Sequence, residues 1–335
     1  MLEAARTGDR AGFAQLAEPY RRELQVHCYR MLGSLEDAQD LVQETLLRAW
    51  TKLDTYEGRA SFRAWLYKIA TNACLDALDR RPRRVLPPAR QAASDPAAPT
   101  EPPLLEPIWL DPIPDVGLAE IEAGPEARYE VRESITLAFM AALQVLPPRQ
   151  RAVLILRDVL DWHADEVARL LDLTVSAVNS ALHRARTTMA RYYHRRGIET
   201  VPAQPEDAAT RALLERYVRA WETADMDALV ALLKEDATLP MPPIPTWYQG
   251  REPIRIFLSG IVRQMYTSGA WRFVPLRANG QPAFAWYQRD EQGRFRPFGI
   301  QVLTIEENQI ADLYTFGMGN PRLLQLFGLP DELAV

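Results

Sequence analysis

The stretch Tyr56-Glu-Gly-Arg-Ala-Ser-Phe-Arg-Ala-Trp-Leu-Tyr-Lys-Ile-Ala-Thr-Asn-Ala-Cys-Leu-Asp-Ala-Leu-Asp-Arg-Arg-Pro-Arg-Arg84 decides how the rest of the chain is read. A loop containing Gly58 leads into a predicted helix that starts near Ser61. That helix mixes aromatics with cations (Phe62, Arg63, Trp65, Tyr67, Lys68) and ends in Arg80, Arg81, Arg83 and Arg84. Rings stack on exposed bases and cations pair with phosphates, so the mixture suits single-stranded nucleic acid. Trp65 and Leu66 as plain core, with arginines that merely favour a helix C-terminus, would give part of the same pattern.

The segment just upstream, Glu36–Trp50, has two faces at about 100° per residue. Ala38, Leu41, Val42, Thr45, Leu46 and Ala49 form a core stripe, and Asp37, Asp40, Gln43, Glu44 and Leu47 share the other side. A solvated face with one stray leucine is the plain reading. A docking surface for a basic partner, with Leu47 as its anchor, is the functional one.

Taken together, the acidic helix, the Gly-containing loop, the run F-R-x-W-L-Y-x-I-A-x-N and the arginine cluster resemble region 2 of the sigma-70 family of initiation factors. The extracytoplasmic-function (ECF) branch is the most similar. The resemblance implies that Asp37, Asp40, Gln43, Glu44 and Leu47 contact the β′ subunit of RNA polymerase core. It also implies that Arg59, Ser61, Trp65, Tyr67, Lys68, Asn72, Arg80, Arg81, Arg83 and Arg84 face the −10 promoter element.

Further on, Leu146-Pro-Pro-Arg-Gln-Arg opens a helix running to about Leu160. A short helix (Ala164–Leu171), a turn (Asp172-Leu-Thr) and a long helix (Val175–Arg191) follow, which is the helix-turn-helix pattern. On the long helix Val175, Val178, Leu182, Ala185 and Met189 share the predicted buried side. Ser176, Ser180, His183, Arg184, Thr187 and Arg191 share the other, a mixture suited to phosphates and base edges. This unit resembles sigma region 4, which implies contacts to the polymerase β subunit and to a −35 element through Ser176, Asn179, Ser180, His183, Arg184, Thr187 and Arg191. It departs from relatives that read T-V-K-S-R-L here, because Asn179 and Ala181 stand where those carry cations.

The 335 residues exceed one ordinary domain. The net charge of −5 argues at first sight against a nucleic-acid partner. The charge is unevenly spread, however. Residues 86–127 hold eight acidic side chains against one basic, and ten of the 26 prolines. Proline at that density excludes helix and central strand, so this is an extended linker. Within it Leu104, Leu105, Ile108, Trp109, Leu110 and Ile113 form an apolar island, and a spacer that carries Trp109 docks onto something.

Residues 208–335 read as helices followed by long alternating strands, an α+β cone resembling the SnoaL-like (nuclear-transport-factor-2-like) superfamily. Such a cone would hold a small-molecule ligand, with Met241, Trp247, Tyr248, Phe257, Trp271, Trp286, Phe298, Ile300 and Tyr314 as candidate lining. For any one of these aromatics an ordinary core is the plainer reading. The domain contains no histidine, and the carboxylates Asp290, Glu306, Glu307 and Asp312 lie in its predicted strands or turns. Sigma factors with such an appended domain form a subset of the group. Trp109-Leu-Asp-Pro and Asn320-Pro-Arg-Leu-Leu resemble motifs of that subset, which implies regulatory contacts at Trp109, Leu110, Asn320 and Pro321.

The expected fold is therefore multidomain. Two all-α sigma modules, a region 2 helical bundle (1–85) and a region 4 helix-turn-helix (128–197), flank the acidic linker (86–127) and precede the α+β SnoaL-like cone (207–335). The expected function is that of an ECF sigma factor whose C-terminal domain modulates it in cis. A helix-turn-helix regulator with a ligand-binding domain, and a cone enzyme tethered to DNA-binding modules, are the alternatives. No catalytic residue, cofactor, metal site or membrane partner is expected. The two cysteines, Cys28 and Cys74, and the charged N-terminus point to the cytoplasm.

Overall fold

A computed structural model describes residues 8–80, 82–104, 106, 108–116, 134–196, 208–265, 270–318 and 320–333. The chain divides into two compact units: Met1–Arg84 with Gly117–Val201, and Val85–Val116 with Pro202–Val335.

The first unit is helical. Helix α1 (Arg10–Leu32) starts at Asp9, whose carboxylate accepts from the Ala11 N–H, and stops at Gly33, which takes the left-handed φ of 72°. Helix α2 (Leu35–Thr51) is capped by Ser34, carries Glu36 and Asp37 in its first turn, and buries the predicted stripe Ala38–Ala49. Helix α3 (Phe62–Leu78) is capped by the Ser61 hydroxyl, which accepts from the Ala64 N–H. After it come α4 (Leu137–Val145) and α5 (Pro148–Leu154), the latter with Pro148 at its first position and a π-turn (Ile155–Val159) extending it. The helix-turn-helix is α6 (Ala164–Leu171), a turn entered at Asp172 (φ 54°), and α7 (Val175–Arg196).

The two helical modules pack into this one unit. Arg151 of α5 shows why. Its buried guanidinium donates to the carbonyls of Met31, Gln144 and Leu146 and to the Gln144 side chain. The carbonyl ends of α1 and α4 thus share one cation. Gln144 also donates to the Arg30 carbonyl, and Arg30 donates to Ser134. Burial, and the charge of Arg83, lower the Arg151 pKa to about 9, so it is still a cation at neutral pH.

The second unit is built on one sheet. Helices α8 (Ala208–Glu222) and α9 (Met226–Val230) precede β1 (Leu233–Pro240), β2 (Trp247–Gln249) and α10 (Arg251–Met265). Strands β3 (Trp271–Ala278), β4 (Gln281–Arg289), β5 (Phe295–Glu306) and β6 (Gln309–Phe316) follow, then α11 (Pro321–Leu326). The strand order is β2-β1-β6-β5-β4-β3. Strand β1 starts at Leu233, inside a polar stretch that carries little strand pattern of its own. The polar run Lys234-Glu-Asp hides the beginning, but Leu233 pairs with Ile310 and Lys234 is bound to Glu306 at 2.5 Å.

Residues Val85–Val116 belong to this unit as a strap. Near one end, the Ser94 N–H donates to the Trp247 carbonyl, the Trp247 indole donates to the Gln91 carbonyl, and the Leu104 N–H donates to the Pro243 carbonyl. At the other, Pro114 bridges Ala278, Ile113 exchanges bonds with Asn279, and Asp115 accepts from the Gly280 N–H and pairs with Arg277. The first anchor is on the β2 edge of the sheet and the second on the β3 edge. Six strands at about 4.8 Å spacing need roughly 24 Å. On the way Ile108, Trp109, Leu110 and Ile113 are buried. The Trp109 indole donates to the Leu104 carbonyl, and Val85 pairs beside Trp109.

Candidate functional site

Two surfaces and one groove of the first unit carry the residues singled out from the sequence. On α2, Asp40 and Gln43 are exposed, and Leu47 is 63% exposed on the same face. Glu44 is half-buried and paired with Arg48 one turn on. Asp37 is different. Its side chain is only 14% exposed and binds Arg84 at 2.5 Å, so these two predicted contacts, one for polymerase and one for DNA, are spent on each other. The acidic first turn of α2 attracts the last arginine of the cluster, which the helix wheel alone does not register.

On the loop–α3 surface, Tyr56, Phe62 and Trp65 form an aromatic cluster with ring centroids 5.2 to 5.7 Å apart. Arg59 is exposed beside Glu57, and Ser61 is the cap already described. Trp65, Lys68 and Asn72 are half-buried, and Arg80 is exposed. Tyr67 is corrected: it is 1% exposed, its ring lying between His27 (4.9 Å) and Trp162 (5.2 Å). Burial pushes its phenol pKa up. Arg83 also turns inward, donating to the Gln144 and Val145 carbonyls. Arg81 lies outside the described residues.

His27, beneath this surface, has Nε2 2.9 Å from the Thr71 hydroxyl. Burial first, then the charges of Arg30 and Arg63, push its pKa down to about 3. Cys28 and Cys74 are buried free thiols, and burial raises the Cys74 pKa.

The α7 face matches its expected composition. Ser176, Asn179, Ser180, His183 and Arg184 line one open groove with Val175, and Arg191 is exposed further along. Val175 is thus 43% exposed rather than buried, because it lies on the groove side of the first turn of α7. Thr187 is half-buried and bonds its hydroxyl to the His183 carbonyl.

In the second unit, Met241, Tyr248, Trp271 and Trp286 belong to the core between sheet and helices, with Phe257 and Phe298 packed against it. Rings fill this interior: Trp221, Phe273, Trp286 and Phe298 follow one another at centroid distances of 5.3 to 6.4 Å. The Tyr248 hydroxyl and the Trp286 indole nitrogen are buried there without a hydrogen-bond partner. Burial, then Asp95, raises the Tyr248 pKa to about 12. Trp247 serves the strap instead. Tyr314 and Ile300 are corrected. Tyr314 pairs with Val302, which pairs with Ala283, whereas the inward residues of β4 are Phe284 and Trp286. Tyr314 and Ile300 therefore lie on the opposite face of the sheet. The carboxylates are engaged outside the core: Asp290 with Arg294 and Arg296, Glu306 with Lys234, and Asp312 with the Thr238 hydroxyl.

Trp109 and Leu110 are the buried centre of the strap. Asn320 and Pro321 have a local role, as the cap and first residue of α11, with the Asn320 side chain accepting from the Leu323 N–H. Trp162, Arg169 and Asp172 were missed. Trp162 and Arg169 border a groove of about 660 Å³ whose other wall is Tyr56–Lys68, and Asp172 binds Lys68 of that wall. Their one signal was a tryptophan two residues before the short helix of the helix-turn-helix.

Comparison with known proteins follows the same order along the chain. Residues 16–84 match the family model Sigma-70 region 2, residues 136–189 Sigma-70, region 4, and residues 214–313 the SnoaL-like domain. The chain is 44% identical over 325 residues to the ECF RNA polymerase sigma factor SigG of Mycobacterium tuberculosis, covering 97% of this chain and 85% of that one. It is 30% identical over 227 residues to SigJ of the same organism, covering 66% and 62%. The crystal structure of M. tuberculosis SigJ superposes with a TM-score of 0.58 over 95% of this chain and 99% of that one, at 22% identity, and so shares the fold. Among the described residues no helix is long and apolar enough to cross a membrane, and no group of side chains is arranged to hold a metal ion.

Proposed function

Since the chain belongs to the ECF sigma factors of RNA polymerase, and to those that carry a SnoaL-like domain, we propose that its α2 face grips the polymerase core, its loop–α3 surface captures the −10 strand, and α7 reads the −35 duplex. The observation that carries this is Leu47, a large apolar side chain 63% exposed beside Asp40 and Gln43. An apolar centre with an acidic rim suits a basic helical partner. The test is transcription by purified core polymerase with the chain added. Promoter-specific transcripts are expected, and their loss in Leu47→Ala with the fold intact. Equal output from the variant would reject the assignment.

The strap and sheet act as the control element. Removing residues 202–335 strips the strap of both its anchors, so promoter output should change. Identical output from the shortened and full chains would reject control in cis. In this reading the domain works by contact, through the strap that its two sheet edges hold. The polymerase places this work in the cytoplasm.

A further inference from the structure

Helix α7 presents two parallel rows of exposed side chains to its open groove. Val175, Asn179 and His183, each four residues from the last, form one row, and Ser176, Ser180 and Arg184 form the other. The rows differ in chemistry. Two hydroxyls and a guanidinium suit phosphate oxygens, which fix a protein's position on DNA without reading its sequence. A branched hydrocarbon and a carboxamide suit particular base edges instead. Val175 is one of four large apolar side chains left exposed among the described residues, and it stands at the end of a recognition helix that meets bases first. The Thr174 hydroxyl accepts from the Ala177 N–H at 3.1 Å and so fixes the first turn that carries it. Asn179 is exposed, and among the described residues its carboxamide has no partner, which leaves donor and acceptor both free. Cations contribute less here, because Arg186 of the same helix is bound to Asp158 by two bonds of 2.8 Å. With fewer phosphate contacts, base contacts carry more of the affinity.

We propose that Val175 and Asn179 make α7 a reader of A·T pairs in the −35 element. The Val175 methyl groups pack on the C5 methyl of a thymine. The Asn179 amide N–H donates to adenine N7, and its carbonyl accepts from the adenine N6 amino group. Four residues of helix rise about 6 Å and one base step about 3.4 Å, so the two bases lie within about two steps of each other. A lysine at position 179 would select guanine O6 and N7 instead.

The proposal rests on reading α7 as the −35 helix, and the test separates the two. Duplexes with a randomised −35 segment are selected on purified core polymerase carrying the full chain, and affinity for the selected duplex is measured by anisotropy. An adenine and a thymine within two steps should be enriched. Replacing that thymine with uracil removes only the methyl. It should weaken binding by the parent chain about fourfold, and binding by Val175→Ser not at all. Val175→Thr, which keeps one methyl, should still favour thymine. Asn179→Ala should reduce the preference for adenine over guanine about tenfold, and Asn179→Lys should reverse it. Arg184→Ala should weaken binding to every −35 sequence alike. If Arg184→Ala, Asn179→Ala and Val175→Ser all leave binding unchanged, α7 is not the −35 helix. If Arg184→Ala weakens binding while the parent chain holds uracil and thymine equally and the adenine preference survives Asn179→Ala, the readout fails alone.

Discussion

The two faces of region 2 proposed to meet polymerase and DNA differ in what already occupies them. On α2, Asp40, Gln43 and Leu47 are exposed to solvent. On the loop and α3, the charged side chains already have partners within the chain: Arg59 with Glu57, Arg63 with Glu23, Lys68 with Asp172. Trp162 lies over the aromatic Tyr67. One face is presented and the other is covered, although they are neighbours on one small bundle. The difference implies an order of events in which polymerase is met first and DNA afterwards. Cations paired internally do not release counterions from DNA, so weak binding of DNA by the chain alone is the expected outcome.

The strongest challenge to this contrast is charge reversal on the exposed face. Asp40→Arg combined with Glu44→Arg should weaken binding to core polymerase by about a hundredfold or more, as loss of a hot-spot cluster does, without changing the affinity for a single-stranded −10 oligonucleotide. A pull-down with purified core reads the first effect and anisotropy the second. Next in size is the buried cation that joins the modules. Arg151→Met leaves the carbonyls of Met31, Gln144 and Leu146 without their donor, and about 3 kcal/mol of stability should be lost. Denaturant titration measures it. A midpoint equal to that of the parent protein would mean that the helical modules do not depend on this bond network.

Acid should loosen the covered face from below. The folded state keeps His27 neutral down to about pH 3, while the unfolded chain takes up the proton near pH 6.5. Stability from this site is therefore full above pH 6.5 and falls as pH drops towards 3. Between pH 7 and pH 5 the loss should be about 2 kcal/mol. His27→Gln should flatten that slope, and an unchanged slope would remove His27 from the account. The smallest effect belongs to the second unit. Trp109→Phe deletes the bond to the Leu104 carbonyl and should cost about 1 kcal/mol. That loss should appear in the unfolding of the strap and sheet, with core binding through α2 unchanged.

Much of this was legible in the sequence because it is local. The α2 stripe, the α6–turn–α7 pattern and the chemistry of the α7 groove follow from periodicities of a few residues. The proline-rich stretch was readable as extended and Trp109 as docked, but not its partners. Asn279 and Trp247 lie more than a hundred residues away on opposite edges of a sheet, and no periodicity joins them to the strap. The same holds for Asp37 with Arg84 and for Tyr67 beneath Trp162. A helix wheel says which residues share a face, not what another helix places upon it. Tyr314 was misassigned for a related reason: alternation gives two faces of a strand, and only pairing through Val302 and Ala283 tells which one meets the helices.

The central claim is that polymerase binding precedes and enables capture of the −10 strand. The most direct measurement is the affinity of the full chain for the single-stranded −10 oligonucleotide, with and without purified core polymerase and corrected for core alone. The account predicts weak binding by the chain alone and a gain of about tenfold or more with core, lost in the Asp40→Arg/Glu44→Arg variant. Equal affinity in the presence and absence of core would contradict it.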